Sequence, residues 1–149
     1  MSERILIVED DNALRYALSR ELEAAGYDVA QAHDYRDALD LLEVGKRVSV
    51  LVVDLVLPGV NGFALARMAR MKQHHVKIIY MTGFEDIPLQ EADGPVLHKP
   101  VHPDVLLGSS AIACARHNRT RAPARFYGIA VPGTRHCSDA KEAQGRERS

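Results

Sequence analysis

Short apolar runs punctuate the chain, and the segments between them follow a different period. Ile5-Leu6-Ile7-Val8 and Val50-Leu51-Val52-Val53 are continuous, and Val76–Met81 is broken only by Lys77. Runs of this length, rich in Ile and Val and without polar alternation, read as strands buried on both faces, the pattern of a parallel sheet. Two weaker runs, Tyr27–Ala32 and Pro95–His98, complete a set of five. The expected strands are therefore about Arg4–Val8, Tyr27–Ala32, Ser49–Asp54, Val76–Met81 and Pro95–His98.

Between the runs the apolar spacing shifts to three and four residues, the period of a helix face. Leu14, Ala17, Leu18, Leu22 and Ala25 line one such face, opened by Asp11 or Asn12 as cap and closed by Gly26. Asp34 opens a second helix, through about Val44, with Ala38, Leu41 and Leu42 inward and Gly45 as its stop. Leu57-Pro58-Gly59 reads as a turn, after which Asn61 caps a helix from about Gly62 to Gln73 with Leu65, Met68 and Ala69 inward. Pro103 suits the first turn of a last helix that buries Val105, Leu106, Ser109 and Ile112. Alternating strands and helices imply right-handed crossovers and an α/β fold, a doubly wound five-stranded parallel sheet covered on both faces. Between the last two strands, Pro88 and Pro95 leave little room for a regular helix, so the fourth helix is expected to be shortened or missing.

Composition changes the picture only at the C-terminal end. The chain has 149 residues, 46% apolar and 26% charged, which suits one ordinary globular core. Its net charge of −1 hides an asymmetry. Residues 1–115 carry eleven Lys/Arg against seventeen Asp/Glu, and residues 116–149 carry eight against three. The two cysteines, Cys114 and Cys137, lack metal-ligand spacing, so a reducing cytoplasm is the default compartment. No apolar stretch is long enough for a signal peptide or a membrane span. The seven histidines are scattered and suggest no metal site.

The candidate chemistry lies at the ends of the apolar runs. The first leads into Glu9-Asp10-Asp11, the third into Asp54, the fourth into Thr82 and the fifth into Lys99-Pro100. In open parallel sheets ligands bind beyond the carboxyl ends of the strands, so these residues are expected to converge. Three carboxylates together repel one another, and a small hard cation such as Mg²⁺ relieves this while leaving room for phosphate oxygens. With a lysine and a hydroxyl added, the set suits phosphoryl transfer to a carboxylate. Asp11 is read as a helix cap, outside the metal site.

These same residues resemble the response-regulator receiver domain, the CheY-like module of two-component signalling. The matching pieces are Ile7-Val8-Glu9-Asp10-Asp11 with Leu14-Arg15, then Asp54-Leu55-Val56-Leu57-Pro58-Gly59 with Gly62, then Met81-Thr82-Gly83, then Lys99-Pro100. The resemblance covers about residues 3–115 and implies a flavodoxin- or CheY-like sheet. It makes Asp54 the phospho-acceptor, Glu9 and Asp10 the acidic pair for Mg²⁺, the Val56 carbonyl a further metal ligand, Thr82 the switch hydroxyl and Lys99 the phosphate-contacting lysine. It also implies a cis Lys99–Pro100 bond. One departure concerns the switch: three positions before the lysine, where the family usually has an aromatic residue, stands Val96.

The reading is then a receiver domain over 1–117 and a basic tail over 118–149 without a recognisable output domain. Such a single-domain response regulator takes its phosphoryl group from a histidine kinase or histidine phosphotransfer protein and signals through an unnamed output partner. It is not a turnover enzyme, it has no membrane association and DNA binding is not expected, while a homodimer stays an open alternative. A phosphatase of the haloacid-dehalogenase type is a rival, but it needs an Asp two residues after its nucleophile, where this chain has Val56. A receiver-like module that is never phosphorylated is a second rival, against which the complete set of acids, Thr82 and Lys99 argues.

Overall fold

The computed structural model describes residues 3–86, 88–109 and 112. Five parallel strands form one sheet: β1 (Arg4–Val8), β2 (Asp28–Ala32), β3 (Val50–Asp54), β6 (Lys77–Thr82) and β7 (Val96–His98), in the order β2-β1-β3-β6-β7. A two-residue antiparallel pair, β4 (Val56–Leu57) and β5 (Val60–Asn61), follows β3. The helices are α1 (Asn12–Ala24), α2 (Tyr35–Val44), α3 (Gly62–Lys72) and α4 (Pro103–Leu107). Among the described residues no helix is long and apolar enough to cross a membrane.

Alternation along the central strands explains the two layers. Leu6, Val8, Leu51, Val53, Ile78 and Tyr80 pack with Ala38 and Leu42 of α2 and Leu65 and Ala69 of α3. Ile5, Ile7, Val50, Val52, Ile79 and Met81 pack with Leu18 and Leu22 of α1 and Leu106 of α4. The sheet is thus buried on both sides, as continuous apolar runs require. The caps agree as well. Asp11 accepts from the amides of Ala13 and Leu14, Asp34 from Asp37 and Asn61 from Ala64. Gly26 adopts φ +97° just after α1, a conformation that favours glycine.

Several expectations are corrected. Ala17 is exposed, because the buried stripe of α1 runs through Leu18 and Leu22 toward Ser19, whose hydroxyl donates to the Arg15 carbonyl at 2.8 Å. Val105 is exposed too, because α4 turns Leu106 and, half-buried, Leu107 toward the core. Leu41 and Met68 do face inward as expected, half-buried and packed against the core. The Leu57-Pro58-Gly59 turn carries the unanticipated β4–β5 pair, with Gly59 at φ +84°. Among the described residues between β6 and β7 there is no regular helix, only a 3₁₀ turn at Leu89–Glu91, in keeping with Pro88 and Pro95. The tail over 118–149 and both cysteines lie outside the described residues.

Gly62 fixes how α3 approaches the end of β3. Its amide donates to the Leu55 carbonyl at 3.0 Å. A Cβ at this position would lie 2.5 Å from the Asp54 carbonyl oxygen and 2.8 Å from the Leu55 Cα, both backbone atoms that cannot step aside cheaply. Gly62→Ala is therefore expected to destabilise the domain by about 2 kcal/mol. Urea unfolding checks this through a lower midpoint at an unchanged slope; a midpoint equal to the wild type would show that the contact relaxes without cost.

Candidate functional site

Register places the functional side chains at one edge. β1 pairs with β3 so that Val8 stands opposite Val53, which puts Glu9 and Asp54 at neighbouring strand ends. Asp54 in turn stands opposite Met81, one residue before Thr82. Thr82 pairs with His98, one residue before Lys99. Each of these residues ends its strand or follows it directly, so the five-stranded register alone assembles the site.

Oxygen atoms from Glu9, Asp10 and Asp54 lie within 4.8 Å of one another. Glu9 is 0% exposed and Asp54 4%, whereas Asp10 is open to solvent. Lys99 reaches both buried acids. Its Nζ donates to Asp54 Oδ2 at 2.6 Å and lies 2.8 Å from Glu9 Oε2. The other oxygens are held by backbone: Val56 N–H donates to Asp54 Oδ1 at 2.9 Å and Asp11 N–H to Glu9 Oε1 at 3.1 Å. The Lys99 amide donates to the Thr82 carbonyl at 2.7 Å, which anchors the root of the lysine, and the Lys99–Pro100 bond is cis.

Thr82 is fully buried, and its hydroxyl accepts from the Phe84 amide at 3.0 Å, so it is engaged with the chain beyond β6 and not with the acids. The side chains of Val56 and Phe84 are 52% and 59% exposed. Of the residues expected from sequence, Glu9, Asp10, Asp54 and Lys99 are brought into one cluster. Val56 is joined to it through its amide, and Thr82 stands at its margin.

One residue near the cluster had no role assigned from sequence. Arg15 donates to the backbone carbonyl of Glu9 at 2.7 Å, to Asn12 Oδ1 at 2.6 Å and to Gln31 Oε1 at 3.4 Å. A basic residue one helical turn after an acidic loop is the signal that could have drawn notice.

Electrostatics follow from burial. Burial pushes the Glu9 carboxyl up to about 7 from the usual 4.5, and nearby Asp54 adds to this, while contact with Lys99 and the Asp11 amide pull the other way. Burial alone would lower Lys99; its hydrogen bond to Asp54 and its contact with Glu9 outweigh that and raise it. Two buried carboxylates thus share one ammonium, with the third, Asp10, beside them, and Glu9 Oε2 has only its ion contact with Lys99 and no hydrogen bond. Hard oxygen donors with negative charge in excess fit a small divalent cation.

Fold and site define the class: a doubly wound α/β domain with its chemistry gathered at the carboxyl edge around one buried aspartate. Residues 5–109 match the model of the response regulator receiver domain, and the chain belongs to that family. It is 38% identical over 104 residues to the response regulator receiver protein CpdR of Brucella abortus, covering 66% of this chain and 86% of that protein. Against the response regulator MprA of Mycobacterium bovis the identity is 37% over 87 residues, which is 58% of this chain and only 37% of that protein. Among solved structures it resembles a response regulator protein from Burkholderia pseudomallei with a phosphorylated aspartic acid, a calcium ion and citrate. There the TM-score is 0.66 at 25% identity, with 79% of this chain and 74% of the other covered.

The Glu9 shift makes stability depend on pH in a defined direction. Its folded value lies above the unfolded one, so the folded state holds the proton more tightly. The stability this contributes is full below about 4.5 and is lost as pH rises through about 7. In Mg²⁺-free buffer the wild type should therefore lose stability relative to Glu9→Gln across that window. Urea midpoints of both proteins across the range check it; a pH-independent difference would refute the shift.

Proposed function

We propose that this receiver domain accepts a phosphoryl group on Asp54 from the phosphohistidine of a histidine kinase or histidine phosphotransfer protein and passes the signal to an output partner. The observation that carries the proposal is the position of Lys99, bonded at once to Asp54 and in contact with Glu9, at the edge where three carboxylates meet. The Burkholderia structure, with its phosphorylated aspartate and metal ion, supports the same reading.

In the transfer, a carboxylate oxygen of Asp54 bonds to phosphorus as the phosphorus–nitrogen bond of the donor breaks. The imidazole nitrogen keeps the electron pair and takes up a proton. Lys99 already holds Asp54 Oδ2 and can follow the new charge onto the phosphoryl oxygens; the Val56 amide fixes Oδ1, which leaves the carboxylate one orientation. Mg²⁺, held by Asp10, Asp54 and the Val56 carbonyl with Glu9 acting through water, would supply further neutralisation of phosphoryl charge. Thr82 would turn its hydroxyl from the Phe84 amide toward the phosphoryl group, a local two-state change that a partner reads. The domain serves as phosphoryl acceptor and not as a turnover enzyme on a metabolite, and it works in the cytoplasm. Two residues beyond Asp54, where a phosphatase of the haloacid-dehalogenase type needs an acid, stands the apolar Val56.

Asp54→Asn should remove the nucleophile and keep the fold. Intact-mass spectrometry after acetyl phosphate and Mg²⁺ should show one added phosphate on the wild type and none on the variant. Phosphate gained equally by both would move the acceptor elsewhere, and none on either would favour a module that is never phosphorylated.

The aspartyl phosphate should also be long-lived. Val56 and Phe84 flank the site as exposed apolar side chains, and neither can position an attacking water. Val56→Asn combined with Phe84→Lys should shorten the lifetime, followed as loss of phosphate after the donor is removed. An equal or longer lifetime in the double variant would place control of water elsewhere.

A further inference from the structure

We infer that Arg15 is a positioning residue for the cation-binding carboxylates, acting through the backbone of the acidic loop. Its guanidinium spans three segments: the Glu9 carbonyl at the end of β1, the Asn12 side chain at the start of α1, and Gln31 on β2. All three acceptors are neutral, so Arg15 is not there to neutralise a carboxylate. The planar fork of a guanidinium, with several donors in fixed directions, suits such a clasp, and an ammonium does not reproduce it.

The consequence lies in the peptide that Arg15 grips. The Glu9 carbonyl belongs to the Glu9–Asp10 peptide, whose orientation sets where both carboxylates leave the backbone. Glu9 Oε1 is further tied to the Asp11 amide, and Asp11 caps α1 through Ala13 and Leu14. The Arg15 amide closes the same turn by donating to the Asp11 carbonyl at 3.0 Å. Asp10 is exposed and sits between these fixed points. Without the clasp the loop keeps its helix cap but loses the hold on the peptide between the two acids. Residues of this outer kind typically govern metal affinity by tenfold or more.

The inference rests on the proposed site, and the sign of the effect sets it apart from simple charge. Removing a cation beside an acidic cluster should by electrostatics alone tighten Mg²⁺ binding. Loss of positioning should weaken it. Calorimetric titration with MgCl₂ is expected to show Arg15→Ala weaker than wild type by on the order of tenfold. Arg15→Lys, which keeps the charge on a single donor nitrogen but loses the planar fork, should fall between the two. Amide hydrogen exchange at Asp11 in Mg²⁺-free protein should be faster in Arg15→Ala, a readout that needs no cation.

Unchanged or tighter Mg²⁺ binding in Arg15→Ala, or wild-type affinity in Arg15→Lys, would overturn the inference. If Arg15→Ala does not fold, Arg15→Lys decides it alone, with weaker binding at an unchanged melting temperature as the supporting result. Should wild type bind Mg²⁺ and yet take no phosphate on Asp54, the proposed function fails and the Arg15 comparison still stands. Should wild type bind no Mg²⁺, Asp11 exchange decides the clasp, and unchanged exchange in Arg15→Ala overturns it.

Discussion

A single ammonium between two buried carboxylates is the constraint on which the rest of this domain depends. Burying Glu9 and Asp54 at the sheet edge removes them from water, a cost that grows steeply when like charges share a site. Lys99 offsets it, and it does so from a distance in the topology. It follows β7, an edge strand, and reaches past the end of β6 to side chains on β3 and β1. That reach requires the lysine's root to be fixed, which the bond from its amide to the Thr82 carbonyl provides. The central strands position the acids, and the edge strand brings the charge that lets them stay there.

The compensation is incomplete, and its shortfall is what makes the site useful. One ammonium faces three acids, and the side chains divide the work by depth. Glu9, fully buried, turns inward to Lys99 and the Asp11 amide, whereas Asp10 faces solvent. Asp54 lies between them with one oxygen on Lys99 and the other on the Val56 amide. A carboxylate gripped through both oxygens has one orientation, so its geometry is set before anything binds.

The sheet and the site were legible in the sequence for one reason. Parallel strands buried on both faces leave continuous apolar runs, and the chemistry of such sheets sits where those runs end. Glu9, Asp54, Thr82 and Lys99 could therefore be placed without any long-range information. What escaped depends on contacts between segments far apart in the chain. Apolar spacing gives a face but not its width, so it turns Ala17 and Val105 inward where the structure exposes them. Gln73 shows the same limit: it accepts from the Val48 amide and donates to the Leu42 carbonyl, joining α3 to the loop before β3, and nothing local marks it. Arg15 stands in the recognised motif with two acceptors nearby in the chain, but its contact with Gln31 becomes visible only once β2 lies beside β1.

The connection between β6 and β7 shows how chain length limits the options of a fold. Parallel strands need a crossover of about a dozen residues even when it contains no helix, and residues 83–95 barely reach that. A helix of ordinary length does not fit, so its packing has to be replaced. Side chains of α3 and β6 do this: Arg67 pairs with Glu91 at 3.2 Å, Arg70 pairs with Asp93, and the buried Tyr80 donates to Asp93 at 2.6 Å. Gly94 then passes so close to the Ile78 carbonyl that a Cβ there would lie 2.1 Å from the oxygen. The crossover is thus fastened firmly at its C-terminal half. Its N-terminal half is held at Phe84 by the hydroxyl of Thr82, which would have to let go to meet a phosphoryl group. Thr82 is thus the point at which the end of β6 and the crossover are joined, through the Phe84 amide.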